Sequence, residues 1–160
     1  MPELRHFRAE HRHLIPHIDE LRVLADGLEG SLTGAQLEAL AKNEGWLREH
    51  LVPHAEAEDK VLYPAVAPLV GEKRATATMT FDHVEVGKLV AELQKAHARS
   101  DLREVRRLLY TLHALIAAHF RKEEEIFLPL LESALSEEDA DELEERMERA
   151  ADEAHEPAHA

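Results

Sequence analysis

His54-Ala-Glu-Ala-Glu58 and His119-Phe-Arg-Lys-Glu123 share one spacing, His-x-x-x-Glu, and both lie in helix-like runs. Four residues advance an α-helix by about 400°, so imidazole and carboxylate stand on one face about one turn apart. Side chains so placed can hold the same metal centre. A single exposed pair of this kind is commonplace. Two pairs, each on the apolar stripe of its helix, are not explained as surface decoration. Two further histidines, His11 and His83, break apolar stripes in the same way.

Four long helices must position these groups, and heptad-like spacing delimits them. The first runs from about Glu3 to Leu28, with the stripe Leu4, Phe7, His11, Leu14, Ile18, Leu21, Ala25, Leu28. The second runs from Thr33 or Gly34 to about Pro68 along Leu37, Leu40, Glu44, Leu47, Leu51, His54, Glu58, Val61. Pro53 should kink or locally distort it, and Pro64 and Pro68 should make its end ragged. The third runs from about Glu72 to Ala98 along Thr76, Met79, His83, Val86, Val90, Leu93. The fourth starts at the N-cap Asp101 and runs to about Ala134 along Leu102, Val105, Leu109, Leu112, Ile116, His119, Glu123, Ile126, Leu130. Short loops make neighbours antiparallel. The expected fold is all-α: an up-down-up-down four-helix bundle over residues 1–135. Residues 136–160 form a short acidic C-terminal helix and tail, opened by the cap Ser136-Glu-Glu-Asp139, with Leu143, Met147 and Ala150 as a thin apolar face.

Counting along the helices puts His11, His54/Glu58, His83 and His119/Glu123 at one height, to within roughly 5 Å at 1.5 Å per residue. Six polar groups in an apolar core need a common partner. Two unpaired buried carboxylates would each cost several kcal/mol or take up protons. A cation resolves this; a metal-free His–Glu network is the plainer alternative. The all-N/O donor set suits iron, zinc or manganese better than magnesium or calcium. Glu58 and Glu123, on different helices, are placed to bridge two ions. His11, His54, His83 and His119 then serve as terminal ligands, two per metal.

These residues resemble the hemerythrin-like (HHE cation-binding) family. The matching segments are Glu10-His11-Arg12, His54 to Glu58 followed by Leu62-Tyr63-Pro64, Asp82-His83, and His119 to Glu123 followed by Leu128-Pro129. The likeness spans about residues 3 to 133. It implies a four-helix bundle around two non-haem iron ions, bridged by two carboxylates and an oxo or hydroxo group. It also implies binding or sensing of O2, iron or redox state, with peroxide chemistry in some members. O2 carriers of the family have a histidine one turn after the third-helix histidine, where this chain has Gly87. Their last-helix motif is His-x-x-x-x-Asp, against His-x-x-x-Glu here. The chain therefore resembles the variant bacterial, actinobacterial type, and Gly87 should leave one metal with a position open to a small ligand.

Other histidines offer alternatives. His13 or His17 is the substitute for His11, although both flank the stripe. His50 forms His-x-x-x-His with His54, a spacing that binds zinc readily. Tyr63 is half a turn out of phase with His54 on a regular helix, though the prolines leave its phase open. His113 reads as a surface or interface residue. His6, His97, His155 and His159 read as solvated, and Glu44 as rim-exposed or locally paired. A ferritin-type site would need Glu-x-x-His on two helices of the bundle, and only the first supplies it, as Glu3–His6 and Glu10–His13.

The 160 residues carry 12 histidines, six glycines, seven prolines and no cysteine. Disulfides and thiolate sites are therefore absent. A net charge of −14 argues against a nucleic-acid partner. Residues 136–160 alone hold 11 acids and two bases. This tail reads as a solvated cap, with docking of a protein partner as the alternative. Charges recurring from Glu3 to Glu10 give no signal-like run, and no apolar stretch spans a membrane. The expectation is a cytoplasmic di-iron protein that binds or reacts with O2, peroxide or NO. Zinc or manganese ranks behind iron. A catalase-like peroxide-consuming enzyme and an iron or redox sensor are the competing readings of the same centre.

Overall fold

The computed structural model of the chain describes residues 2–28, 30, 33–72 and 74–155. They form four long antiparallel helices and one shorter C-terminal helix, with no strand among them. α1 is Arg5–Gly27. All eight positions of its expected stripe are buried. α2 covers residues 34–70 and opens on a capping box, in which Thr33 Oγ1 accepts from Gln36 N–H while Gln36 Oε1 accepts from Thr33 N–H. It ends at Gly71, whose φ of 75° suits a residue without a Cβ. α3 is Ala77–Ala98. It starts later than expected, because Ala75 N–H bonds to Glu72 O and Ala77 N–H to Arg74 O in turns that precede it. α4 covers residues 102–134, with the Asp101 carboxylate accepting from Glu104 N–H. α5 is Glu137–His155, capped by the Ser136 hydroxyl accepting from Asp139 N–H.

α2 and α4 are not regular. Leu47–Leu51, Glu58–Leu62 and Glu123–Phe127 are π turns. Each stops one residue short of a proline: Pro53, Pro64 and Pro129. Proline has no N–H, and its ring crowds the carbonyl four residues back. The residue before it (Val52, Tyr63, Leu128) donates instead to the carbonyl five back. A wide turn thus absorbs each proline and the helix continues. The local distortion expected at Pro53 is the π turn before it, and in place of the ragged end expected at Pro64 and Pro68 the helix runs on to Val70.

The core has two apolar clusters. The larger gathers Leu14, Leu21, Leu47, Leu51, Val86, Leu109 and Ile116 with their neighbours. The smaller gathers Leu4, Phe7, Val61, Leu62, Met79 and Leu128 with Ala140, Leu143, Met147 and Ala150 of α5. The acidic helix is therefore packed into the fold, and it lies against the middle of α2. Each long helix passes from one cluster to the other through a histidine. His11 stands between Phe7 and Leu14, His54 between Leu51 and Ala57, His83 between Met79 and Val86, and His119 between Ile116 and Leu128. Among the described residues, no helix is long and apolar enough to cross a membrane.

Candidate metal centre

The polar layer brings all six sequence-expected residues together. His11, His54, Glu58, His119 and Glu123 are buried, and His83 is nearly so. Their Nε2 and carboxylate atoms converge. His54 Nε2 is 3.0 Å and His11 Nε2 3.6 Å from Glu58 Oε1. His83 Nε2 is 3.2 Å and His119 Nε2 4.0 Å from Glu58 Oε2. Glu123 repeats the pattern, with Oε2 at 3.6 Å from His11 Nε2 and Oε1 at 3.2 Å from His119 Nε2. Each carboxylate thus turns one oxygen to the His11 side and the other to the His119 side. Two groups have the ligand spacing of a cation site, His11–His54–Glu58 and Glu58–His83–His119, and Glu58 belongs to both.

The outward nitrogens form a second pattern. His11 Nδ1 lies 2.8 Å from Glu124, His54 Nδ1 3.3 Å from Glu10, His83 Nδ1 3.1 Å from Asp59, and His119 Nδ1 3.2 Å from Asp82. Each of these acids adjoins one centre residue in sequence but faces a histidine on another helix. Glu10 of α1 serves α2, Asp59 of α2 serves α3, Asp82 of α3 serves α4, and Glu124 of α4 serves α1. The four contacts close a ring around the bundle. Carboxylates in this position fix the ring orientation of a ligating histidine and raise its basicity. Arg8 in turn binds both Glu124 and Glu132, and Lys122 binds Asp82.

Electrostatics favour a cation here. Burial disfavours charged imidazoles, but the surrounding carboxylates outweigh it. Glu124 and Glu58 lift His11 to about 9. Glu123 and Glu58 lift His119 to about 10. His54 and His83 are also raised against the effect of burial, and burial of Glu58 is outweighed by His54, His11 and His119, which hold it well below the usual carboxylate range. Yet His11 Nε2, His54 Nε2, both oxygens of Glu58 and Oε2 of Glu123 lack a hydrogen-bond partner, and His54 Nδ1 approaches Glu10 without an aligned hydrogen bond. At 3.0 Å, His54 Nε2 and Glu58 Oε1 are close without pointing at one another. Buried atoms that converge unpaired are aimed at a shared third atom. The donor set fits a metal.

Tyr63 joins this layer. Its hydroxyl donates to Glu123 Oε1 at 2.6 Å and lies 3.1 Å from His119 Nε2 and 3.3 Å from His83 Nε2. On a regular helix the nine residues from His54 turn it about 900°, which is half a turn away. The π turn at Glu58–Leu62 absorbs one residue, leaving about 800°, within a quarter turn of the site. Burial and the Glu58 and Glu123 charges push the phenol's pKa up, so as a free side chain it keeps its proton. Gly87 leaves space as expected, since a Cβ there would meet nothing within 4 Å. The phenol from α2 meets the same two histidines, His83 and His119, but does not line the space beside Gly87.

The remaining histidines lie elsewhere. His13 and His17 flank the stripe, His17 stacks on Trp46 at 4.7 Å, and His50 approaches the same indole at 6.0 Å. His113 meets Asp19 at 3.2 Å near the surface. His97, expected to be solvated, instead pairs with Glu44 at 3.0 Å and ties α3 to α2. His6 offers its backbone N–H to Glu144. His159 lies outside the described residues. The four orienting acids were missed because each was visible only as an acid beside a ligand, and its partner is set by tertiary packing.

A helical bundle with a buried histidine–carboxylate layer between two apolar cores defines a cation-binding bundle protein. The model of the hemerythrin HHE cation binding domain matches residues 3–131, and the chain belongs to that family. No curated protein and no solved structure matches the chain.

Proposed function

We propose that the chain is a di-iron protein. His11 and His54 hold one ion, His83 and His119 the other, and Glu58 and Glu123 bridge them. The observation that carries this reading is the split of both carboxylates, each with one oxygen toward each histidine pair. Tyr63 stands beside the His83–His119 pair as a protonated phenol, and the position beside Gly87 stays open to a small ligand. Four neutral imidazoles, two carboxylates and a phenol favour iron over calcium or magnesium. Iron held there supplies a redox-active centre for O2, peroxide or NO.

Tyr63 favours reaction with peroxide over reversible O2 carriage. Its hydroxyl donates to Glu123, beside two histidine nitrogens, and is shielded from solvent. A buried phenol in that place can hand over a proton where a bound oxygen species needs one. The deciding experiment is elemental analysis of aerobically purified protein together with its optical spectrum. About two irons per chain with near-ultraviolet absorption support the reading. A single ion, zinc alone, or no tightly held metal overturns it.

A further inference from the structure

A cleft of about 240 Å3 opens onto the centre between α2 and α3. Val52 and Ala55 form one wall, Val84 and Gly87 the other. Its floor is His54, Glu58, His83 and His119. The cleft exists because small residues face each other across it, and a Cβ on Gly87 would meet no atom within 4 Å. Val84 at its mouth is 49% exposed, so the space is reached from solvent. The floor carries buried, unpartnered polar atoms, namely His54 Nε2 and both Glu58 oxygens. The walls are apolar and the rim carries Glu56 and Asp59.

That shape has room for more than a diatomic gas or hydrogen peroxide. A water-sized molecule takes about 30 Å3, and a dry cavity of about 150 Å3 accepts benzene. An apolar wall above a polar floor selects a ligand with the same division. The acidic rim disfavours a ligand whose far end is anionic. We propose that the cleft binds a small organic ligand with an oxygen-donor head on the centre and a neutral apolar body about the size of a phenyl ring between Ala55 and Gly87. Organic hydroperoxides, rather than hydrogen peroxide, are the reactive members of that class. The inference rests on the metal-centre reading for its head-group site, and on the cleft alone for its choice of body.

The test is a calorimetric titration of metal-loaded protein with azide, acetohydroxamate and benzohydroxamate. The two hydroxamates share a head and differ in the apolar body. Benzohydroxamate should bind at least about tenfold more tightly, because its ring leaves water for the cleft. Gly87→Leu and Ala55→Leu fill the space from opposite walls, and each should bring that ratio below about three. Leucine is a far better helix former than the glycine it replaces and only slightly poorer than alanine, so neither threatens the fold through propensity. Equal affinity for the two hydroxamates, or a ratio that survives both substitutions, overturns the cleft and leaves the centre standing. Failure of metal-loaded protein to bind azide or either hydroxamate overturns the centre itself.

Discussion

Glu124 follows Glu123 directly in the chain, yet its carboxylate lies 2.8 Å from Nδ1 of His11 on another helix. Arg8, one turn before His11, holds the same carboxylate. Glu132 grips Arg8 from farther along α4 and accepts the Leu4 N–H. The orientation of one histidine is thus set by a network that ties the start of α1 to the end of α4. Its charge-assisted contacts are of the stronger kind.

Removing an orienting acid should loosen metal without removing a ligand. Glu124→Ala and Asp82→Ala should each weaken metal binding about 10- to 100-fold. Asp19→Ala, which disturbs only the surface pair with His113, should leave it unchanged. Competition against a chelator measures all three. Identical affinities across the set would mean that the ring of carboxylates does not act on the metals.

The register of α1 is tested by two neighbouring histidines. His11→Ala should lose most of one metal equivalent, and His13→Ala should lose almost none, because His13 flanks the stripe. Glu58→Ala should reduce both equivalents, since its oxygens face both histidine pairs. Metal content by elemental analysis, with circular dichroism as a check on folding, reads the ranking. A His13 variant poorer in metal than the His11 variant would contradict it.

Tyr63→Phe keeps the ring and removes the hydroxyl. It should retain both irons but slow the reaction with peroxide by at least about tenfold. Unchanged rates would leave Tyr63 as packing only.

Protons and metal should compete. In the metal-free protein His11 and His119 titrate at about 9 and about 10, above the ordinary histidine value near 6.5. Their contribution to stability is fully present below about pH 6.5 and is lost as pH rises through 9 to 10. Glu58, held low, works oppositely, and its contribution fades as acid protonates it. Metal-free protein should therefore melt highest near neutrality and lower at pH 10. Metal uptake at pH 7.5 should displace at least about two protons, from His11 and His119, with His54 adding to the count, and its affinity should rise with pH. Calorimetry in buffers of different ionisation enthalpy counts them; an uptake of no net protons would rule out this charge balance.

Much of this was legible before any coordinates. The stripe of α1 was readable residue by residue, because an amphipathic helix prints its buried face every three or four positions. The same periodicity isolated the six polar intruders, and the 1.5 Å rise placed them at one height. Tyr63 escaped because its phase depends on where a π turn falls, and periodicity assumes a constant pitch. Proline at position 64 pointed to an irregularity but not to its form. Glu10, Asp59, Asp82 and Glu124 escaped for a different reason. Their partners lie on other helices, and sequence adjacency does not show which histidine each one meets. The pairing of His97 with Glu44 was hidden in the same way.

The layer of imidazoles and carboxylates does more than gather ligands. It cuts the hydrophobic interior crosswise, so the bundle is built as two stacked folding units with a polar plate between them. The unit on the α5 side is the smaller, and its apolar contacts include a helix whose outer surface is crowded with like charges. A bound cation would act as a rivet through that plate and make the two units melt as one. Stripped of it, the smaller unit should open first, so amide exchange in Glu137–His155 should quicken well before Leu14, Leu21 and Leu109 are exposed. Metal status would then be readable at the C-terminal helix, far along the chain from any ligand.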